Sequence, residues 1–307
     1  MNTTLSSRPR SAAQRIAFVL RVTLLITIPL ILVIPAALGW SFIAVLTAPG
    51  CAPGADPAMM GWRYENVGFL SSEFGRDIPA YFIPADTPSG LTAIFVPTGG
   101  ARGGRLDEMR VFHDAGVNVL TYDARTCLAP VTNSLGYLEA DAVGDALAYL
   151  GTRPDVDPAG IGLFGFSAGG AAANMAAARF NDQIAWLVSE GGYHDFNAEI
   201  DQNALVHLPL GMGSLFRFGA LIGYRVSVGV DMSVLSPVSA MEDIDAPVLL
   251  IYGTDEPSLA GAREMARIGG ENVTLWEVPG ATHGSYIWTA PEEYARRIND
   301  FVRMLGF

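Results

Sequence analysis

Apolar positions in this chain fall into two kinds of run. The first is long: from Val22 to Leu46 no charge interrupts VTLLITIPLILVIPAALGWSFIAVL, where about 20 apolar residues suffice to cross a bilayer as a helix. Pro29 and Pro35 lie inside it, and lipid-embedded helices tolerate such breaks. The second kind begins after residue 61. There, short apolar runs alternate with helical patterns, which predicts an α/β domain with a mainly parallel sheet. WRYENVGF and IPAYFIP read as an opening hairpin. TAIFVP (92 to 97), VNVLTYD (117 to 123), IGLFGF (161 to 166), AWLVSE (185 to 190), PVLLIYG (247 to 253) and VTLWEV (273 to 278) are almost continuously apolar, as strands covered on both faces should be. The expected fold is an eight-stranded, mainly parallel sheet with helices on both faces. Residues 196 to 234 break the alternation and read as a small apolar cap, which Arg217 and Arg225 argue against as a second span.

Charge separates the two parts. Arg8, Arg10, Arg15 and Arg21 precede the long run with no acidic residue among the first 50 positions, whereas the remainder holds 15 Arg against 31 acids. The positive-inside rule then places the N-terminus in the cytoplasm and the domain outside. A cleaved signal peptide would have an apolar core of about 7 to 15 residues and a small-x-small site; here the core is longer and Ala48-Pro49-Gly50 carries a proline. An uncleaved signal anchor is expected. The organisation is therefore a basic N-terminus (1 to 21), a transmembrane anchor (22 to 47), a Pro/Gly/Ala-rich linker (48 to 61) and a globular domain (62 to 307).

Composition narrows the chemistry. The chain of 307 residues is long enough for one such domain with a sizeable core. All 19 basic residues are Arg, so a phosphate-loop lysine, a Schiff base and a Ser-Lys dyad are ruled out. Four His and two Cys make a multi-ligand metal site improbable, and a net charge of -12 lacks the basic footprint of nucleic-acid binding.

Gly165-Phe166-Ser167-Ala168-Gly169 is G-x-S-x-G, set between an apolar strand and an Ala-rich helix. That context forces a sharp turn that exposes the serine hydroxyl, and the helix N-terminus turns N–H groups toward it. A serine hydroxyl needs a base, and the base needs a carboxylate to hold it. His283 in PGATHGSY follows the last strand and so falls on the same sheet edge as Ser167. His113 reads as structural, whereas His194 and Glu190, at and after a strand end on that edge, are expected to line the pocket. Either Asp255 or Glu256 could face His283.

IFVPTGG, TYDAR, SLGYLEADAVGDALAYL, RPDVDPAGIGLFGFSAGG, APVLLIYGTDEP and GATHGSY, in the order nucleophile, acid, histidine, resemble the α/β-hydrolase superfamily. The similarity is to its serine-aminopeptidase and dienelactone-hydrolase-like branch, which includes membrane-anchored bacterial proteins, and it covers residues 62 to 307. The resemblance implies an acid three residues after the strand-end Gly253, at Glu256, although Asp is the commoner type and favours Asp255. It also implies an oxyanion hole from the Ala168 and Gly100 N–H groups. Two departures touch the pocket edge: Thr98-Gly99 stands where relatives have His-Gly, and Thr126-Cys127-Leu128 replaces a Gly-x-Gly. Cys127 thereby falls near the active edge, and outside the cytoplasm two alternatives stand open: Cys51 and Cys127 pair in a disulfide that folds the linker against the site, or they are two independent, small apolar side chains.

These readings converge on a membrane-anchored serine hydrolase that cleaves carboxylic esters through an acyl-enzyme, with a small-molecule acyl substrate and no metal or organic cofactor. A peptidase or amidase using the same groups, and a tethered binding protein that has lost turnover, are the alternatives.

Overall fold

The computed structural model describes residues 11 to 97 and 99 to 306; Thr98, expected at the pocket edge, lies outside them. All eight predicted strands form, as β1 (Glu65–Leu70), β2 (Asp77–Ile83), β3 (Thr92–Val96), β4 (Asn118–Tyr122), β5 (Ile161–Phe166), β6 (Trp186–Glu190), β7 (Val248–Gly253) and β8 (Val273–Val278). They make one sheet in the order β1-β2-β4-β3-β5-β6-β7-β8, antiparallel only at β1/β2 and β2/β4. β3, β4, β6 and β7 are buried at every position, because both faces are covered, while the outer strands β1 and β8 alternate with exposed residues. The chain leaves β3 toward β4 on one side and β5 toward β6 on the other. The strand order therefore reverses at the C-terminal ends of β3 and β5, where open α/β sheets leave a crevice.

One face carries the helices Glu139–Leu150, Ala168–Arg179 and Leu259–Gly269. In the middle helix Ala172, Ala173, Ala176 and Ala177 are fully buried; side chains no longer than a methyl let its backbone lie close to the sheet. The other face carries Leu106–Asp114 and Pro291–Met304, packed on aromatic rings that include Phe95, Phe112, Phe164 and Trp186. Burying a large side chain of this kind stabilises the fold by roughly 1.5–3 kcal/mol.

The N-terminal helix runs from Ala12 to Leu46, starting ten residues before the uncharged run, with Ser11 and Gln14 forming a capping box at its start. Both prolines lie inside it without ending it. At a rise of 1.5 Å per residue its 35 residues span about 52 Å. The helix is long and apolar enough to cross a bilayer, and its residues 12 to 30 are exposed throughout. Its last third is different: Pro35, Gly39 and Ile43 are buried against the cap helix Met212–Val228.

That contact is close. A Cβ added at Gly39 would lie 1.9 Å from the Phe216 carbonyl oxygen, and one at Gly219 would lie 1.9 Å from that of Ala36. The backbones meet through small residues four apart on the cap helix, Gly219 and Gly223, the pattern by which membrane helices approach each other. Ile43 joins Phe216, Ala220, Tyr224, Tyr193 and Phe196 in one core.

The stretch after the helix, expected to be a linker, is pinned rather than free. The Thr47 carbonyl accepts the Asn133 N–H at 3.0 Å, and Ala52 N–H donates to the Gly99 carbonyl while its own carbonyl accepts from Ala101 N–H. Cys51 and Cys127 are joined by a disulfide.

Candidate active site

Ser167 sits between β5 and the helix Ala168–Arg179 with φ 56° and ψ −127°, a backbone conformation that non-glycine residues rarely adopt. The tight turn requires Gly165, where an added Cβ would stand 2.1 Å from the Gly169 carbonyl oxygen. Ser167 N–H donates to the Glu190 carbonyl at 2.8 Å, which fixes the turn to the end of β6.

His283 reaches the same point from the loop after β8. Its Nε2 lies 3.0 Å from Ser167 Oγ and its Nδ1 lies 3.0 Å from Glu256 Oε2. The Glu256 side chain is 1% exposed. Gly253 N–H donates to its Oε1 at 2.6 Å, and Tyr286 O–H donates to the same carboxylate at 3.0 Å. A carboxylate only accepts, so His283 Nδ1 is the donor and Nε2 is left to accept from the serine hydroxyl. Burial, followed by the facing Glu256 charge, pushes the Tyr286 phenol up and keeps it a donor.

Of the two acids considered from sequence, the structure brings Glu256 to His283 and leaves Asp255 outside. Asp255 N–H donates to the Ala281 carbonyl at 3.1 Å, which ties the β7 and β8 loops together, and its exposed carboxylate accepts from Thr254 Oγ1. The ring of Phe166 lies 5.0 Å from that of His283, with the Arg105 guanidinium 3.5 Å above Phe166 on the N-terminal side of the helix Leu106–Asp114.

Ala168 opens the helix after the serine and lines the cavity at Ser167. Gly100 stands in the loop after β3. Its bridge to Ala52 uses the Gly99 carbonyl and the Ala101 N–H and leaves the Gly100 N–H outside it. Gly100 also lines a second cavity of about 260 Å³ with Ala52, Arg105 and Phe166.

Glu190 and His194, expected to line the pocket, do not stand at its wall. The Glu190 side chain is buried in the opposite layer, accepting from the Tyr294 hydroxyl, and burial aided by the Glu108 charge raises its carboxyl to about 8. His194 packs against Gly261, with its Nδ1 3.9 Å from Glu199 Oε1. Glu199 lines the pocket in its place, and burial pushes its carboxyl up.

The cavity that opens on Ser167 and His283 holds about 420 Å³. Its wall includes Tyr193, Phe196 and Glu199 from the cap side and, from the N-terminal helix, Phe42 and Leu46. Sequence reasoning missed Tyr286, Glu199 and these last two. Tyr286 had a signal, since it closes the GATHGSY stretch; Phe42 and Leu46 had none, since hydropathy does not say whether an apolar residue meets lipid or protein. Among the described residues no group of three or more His, Cys, Asp or Glu could hold a metal.

Solved structures share this architecture. An esterase of Pyrococcus furiosus superposes with a TM-score of 0.62 at 18% identity over 84% of this chain and 98% of its own. The 2,6-dihydroxy-pseudo-oxynicotine hydrolase gives 0.60 at 14% identity over 81% and 69%. An acylaminoacyl peptidase of Pyrococcus horikoshii gives 0.59 at 17% over 81% of this chain and 43% of its own. At these identities the likeness is one of fold. None of the curated proteins matches the chain by sequence. Residues 93 to 297 match the sequence pattern of the alpha/beta hydrolase family, and the chain belongs to that family.

Proposed function

We propose that this hydrolase is a membrane-anchored serine enzyme that cleaves carboxylic esters. The observation that carries the reading is the unbroken chain of contacts from Ser167 Oγ through His283 to the buried Glu256 carboxylate. In the first step Ser167 Oγ attacks the ester carbonyl carbon while His283 Nε2 takes its proton. Glu256 stabilises the imidazolium, and the Ala168 and Gly100 N–H groups receive the developing oxyanion. The carbon–oxygen bond to the alcohol breaks as His283 returns the proton to it. Water, activated by the same imidazole, then releases the acid and frees Ser167.

Esters rank ahead of amides because the pocket wall is largely apolar, and burial raises the carboxyl of Glu199, the acid on it that is not engaged by His283, which weakens it as a counter-ion for a peptide ammonium group. The 25 uncharged residues from Val22, with Arg only before them, support an anchor with its N-terminus in the cytoplasm. A disulfide between Cys51 and Cys127 suits a domain outside it.

The test is covalent labelling of the detergent-solubilised full chain by a small fluorophosphonate, beside Ser167→Ala and His283→Ala. Labelling lost in both variants, with hydrolysis of 4-nitrophenyl esters faster than of the matching anilides, is the expected result. A folded wild type that fails to label overturns the proposal.

A further inference from the structure

The cavity at Ser167 is walled on one side by the N-terminal helix Ala12–Leu46, the proposed membrane anchor. Phe42 and Leu46 line the same space as Ser167, His283 and Glu256. That wall is fixed: the ring of Phe42 lies 5.9 Å from that of Phe216, Ile43 is fully buried in the cap core, and Gly39 and Gly219 leave no gap between the two backbones. The disulfide and the Thr47 and Ala52 hydrogen bonds hold the chain immediately beyond it.

An apolar surface leads from this wall toward the exposed length of the helix. On the cap helix Phe218, Ile222 and Val226 repeat every four residues and are solvent-facing, with Leu210 before them. Val45 and Trp40 are exposed on the neighbouring helix, and the helix continues away from the pocket through exposed Leu32, Ile28, Leu25 and Leu24. A stripe of this kind belongs against lipid rather than water. The pocket mouth and the span are thus parts of one surface, with no polar segment between them along the helix from Val22 to Leu46.

We propose that the substrate is a bilayer-resident ester whose aliphatic chain lies against Phe42 and Leu46 and reaches Ser167 from the lipid side. This rests on the serine-esterase reading above and adds to it the substrate class and the role of the anchor as a binding wall. The reaction is unchanged: the acyl carbon leaves the alcohol oxygen for Ser167 Oγ and then for water, with His283 carrying the proton. What the anchor adds is the seat for the chain. Phe42 and Leu46 are substrate-positioning residues.

The experiment uses the full chain in phosphatidylcholine vesicles and a fluorophosphonate carrying a hexadecyl chain tipped with a diazirine. Irradiation after labelling is expected to join the probe on Ser167 to residues 36 to 46. In the same vesicles, hydrolysis of 4-nitrophenyl palmitate relative to 4-nitrophenyl acetate is expected to fall about tenfold in Leu46→Trp, which fills the wall, the scale on which pocket size discriminates chains. Leu25→Trp, on the exposed part of the helix, should leave that ratio where it is. Labelling of Ser167 with crosslinks confined to residues 97 to 109, or a ratio indifferent to Leu46→Trp, overturns the proposal while leaving the esterase intact. Failure to label Ser167 with this probe and with the short one overturns both.

Discussion

The sheet edge that carries Ser167 and the junction between cap and N-terminal helix are built by opposite means. At the edge, position comes from topology: parallel strands deliver Ser167, Glu256 and His283 to one line, and backbone hydrogen bonds to Glu190 and Ala281 lock the loops. At the junction there is no sheet to impose order. Two helices are brought together by the absence of side chains at Gly39 and Gly219, and a disulfide closes the segment beyond them. The first arrangement fixes three side chains to within a hydrogen bond of one another; the second fixes a wall, and it depends on a few small residues and one covalent link.

The sharpest way to break the comparison is at Glu256. Glu256→Gln keeps the shape but removes the charge that favours the His283 imidazolium, and turnover of a soluble ester should drop by about 10³- to 10⁴-fold, while Asp255→Asn changes it only a few-fold. Steady-state kinetics on the pair separates them; similar losses in both would show that the carboxylate beside His283 is not the one that matters. Next comes the junction's covalent link. Cys51→Ser with Cys127→Ser should cost about 2–4 kcal/mol of stability, read by thermal denaturation, and should depress long-chain turnover more than acetate turnover. Smaller still, Gly219→Val drives a branched side chain into the Ala36 carbonyl and is expected to cost about 1–3 kcal/mol. Its melting transition should fall while fluorophosphonate labelling of the solubilised protein persists.

A separate effect is on pH. Glu190 in the folded chain titrates at about 8 because it is buried, well above an ordinary glutamate. The folded state therefore holds a proton that the unfolded chain has released, and stability falls as pH rises from the ordinary carboxylate range through 8. Melting temperatures measured from pH 5 to 8 should decline in the wild type, and Glu190→Gln should flatten the decline. Groups held below their usual range, such as Asp155 and Glu293, act in the opposite sense only at more acidic pH.

Much of the edge was legible in the sequence because its signals are local. A strand followed at once by G-x-S-x-G and an Ala-rich helix specifies the turn at Ser167, and a lone histidine after the last strand has one place to go. The choice between Asp255 and Glu256 was not legible, since it turns on Asp255 N–H pairing with Ala281 and on Gly253 N–H pointing at the third residue beyond it. Glu190 was misplaced for a related reason. Successive side chains on β6 face opposite layers, so Ser189 meets Asn174 and Glu190 is turned toward Tyr294. The junction was the least readable part: a hydrophobic run shows that its residues avoid water, and the glycines that receive it lie about 180 positions away.

The missing slack between Leu46 and Cys51 carries a consequence for where this protein can work. A catalytic domain on a long flexible tether samples a hemisphere and can act on solutes or on a facing bilayer. Here Thr47 and Ala52 are already bonded into the domain, so with the helix seated in a bilayer the serine stands at a set height over its own leaflet. If its substrate is the bilayer-resident ester proposed above, such a protein grazes in cis, on lipids that diffuse past its foot, and its rate follows their lateral density rather than any concentration in the surrounding water.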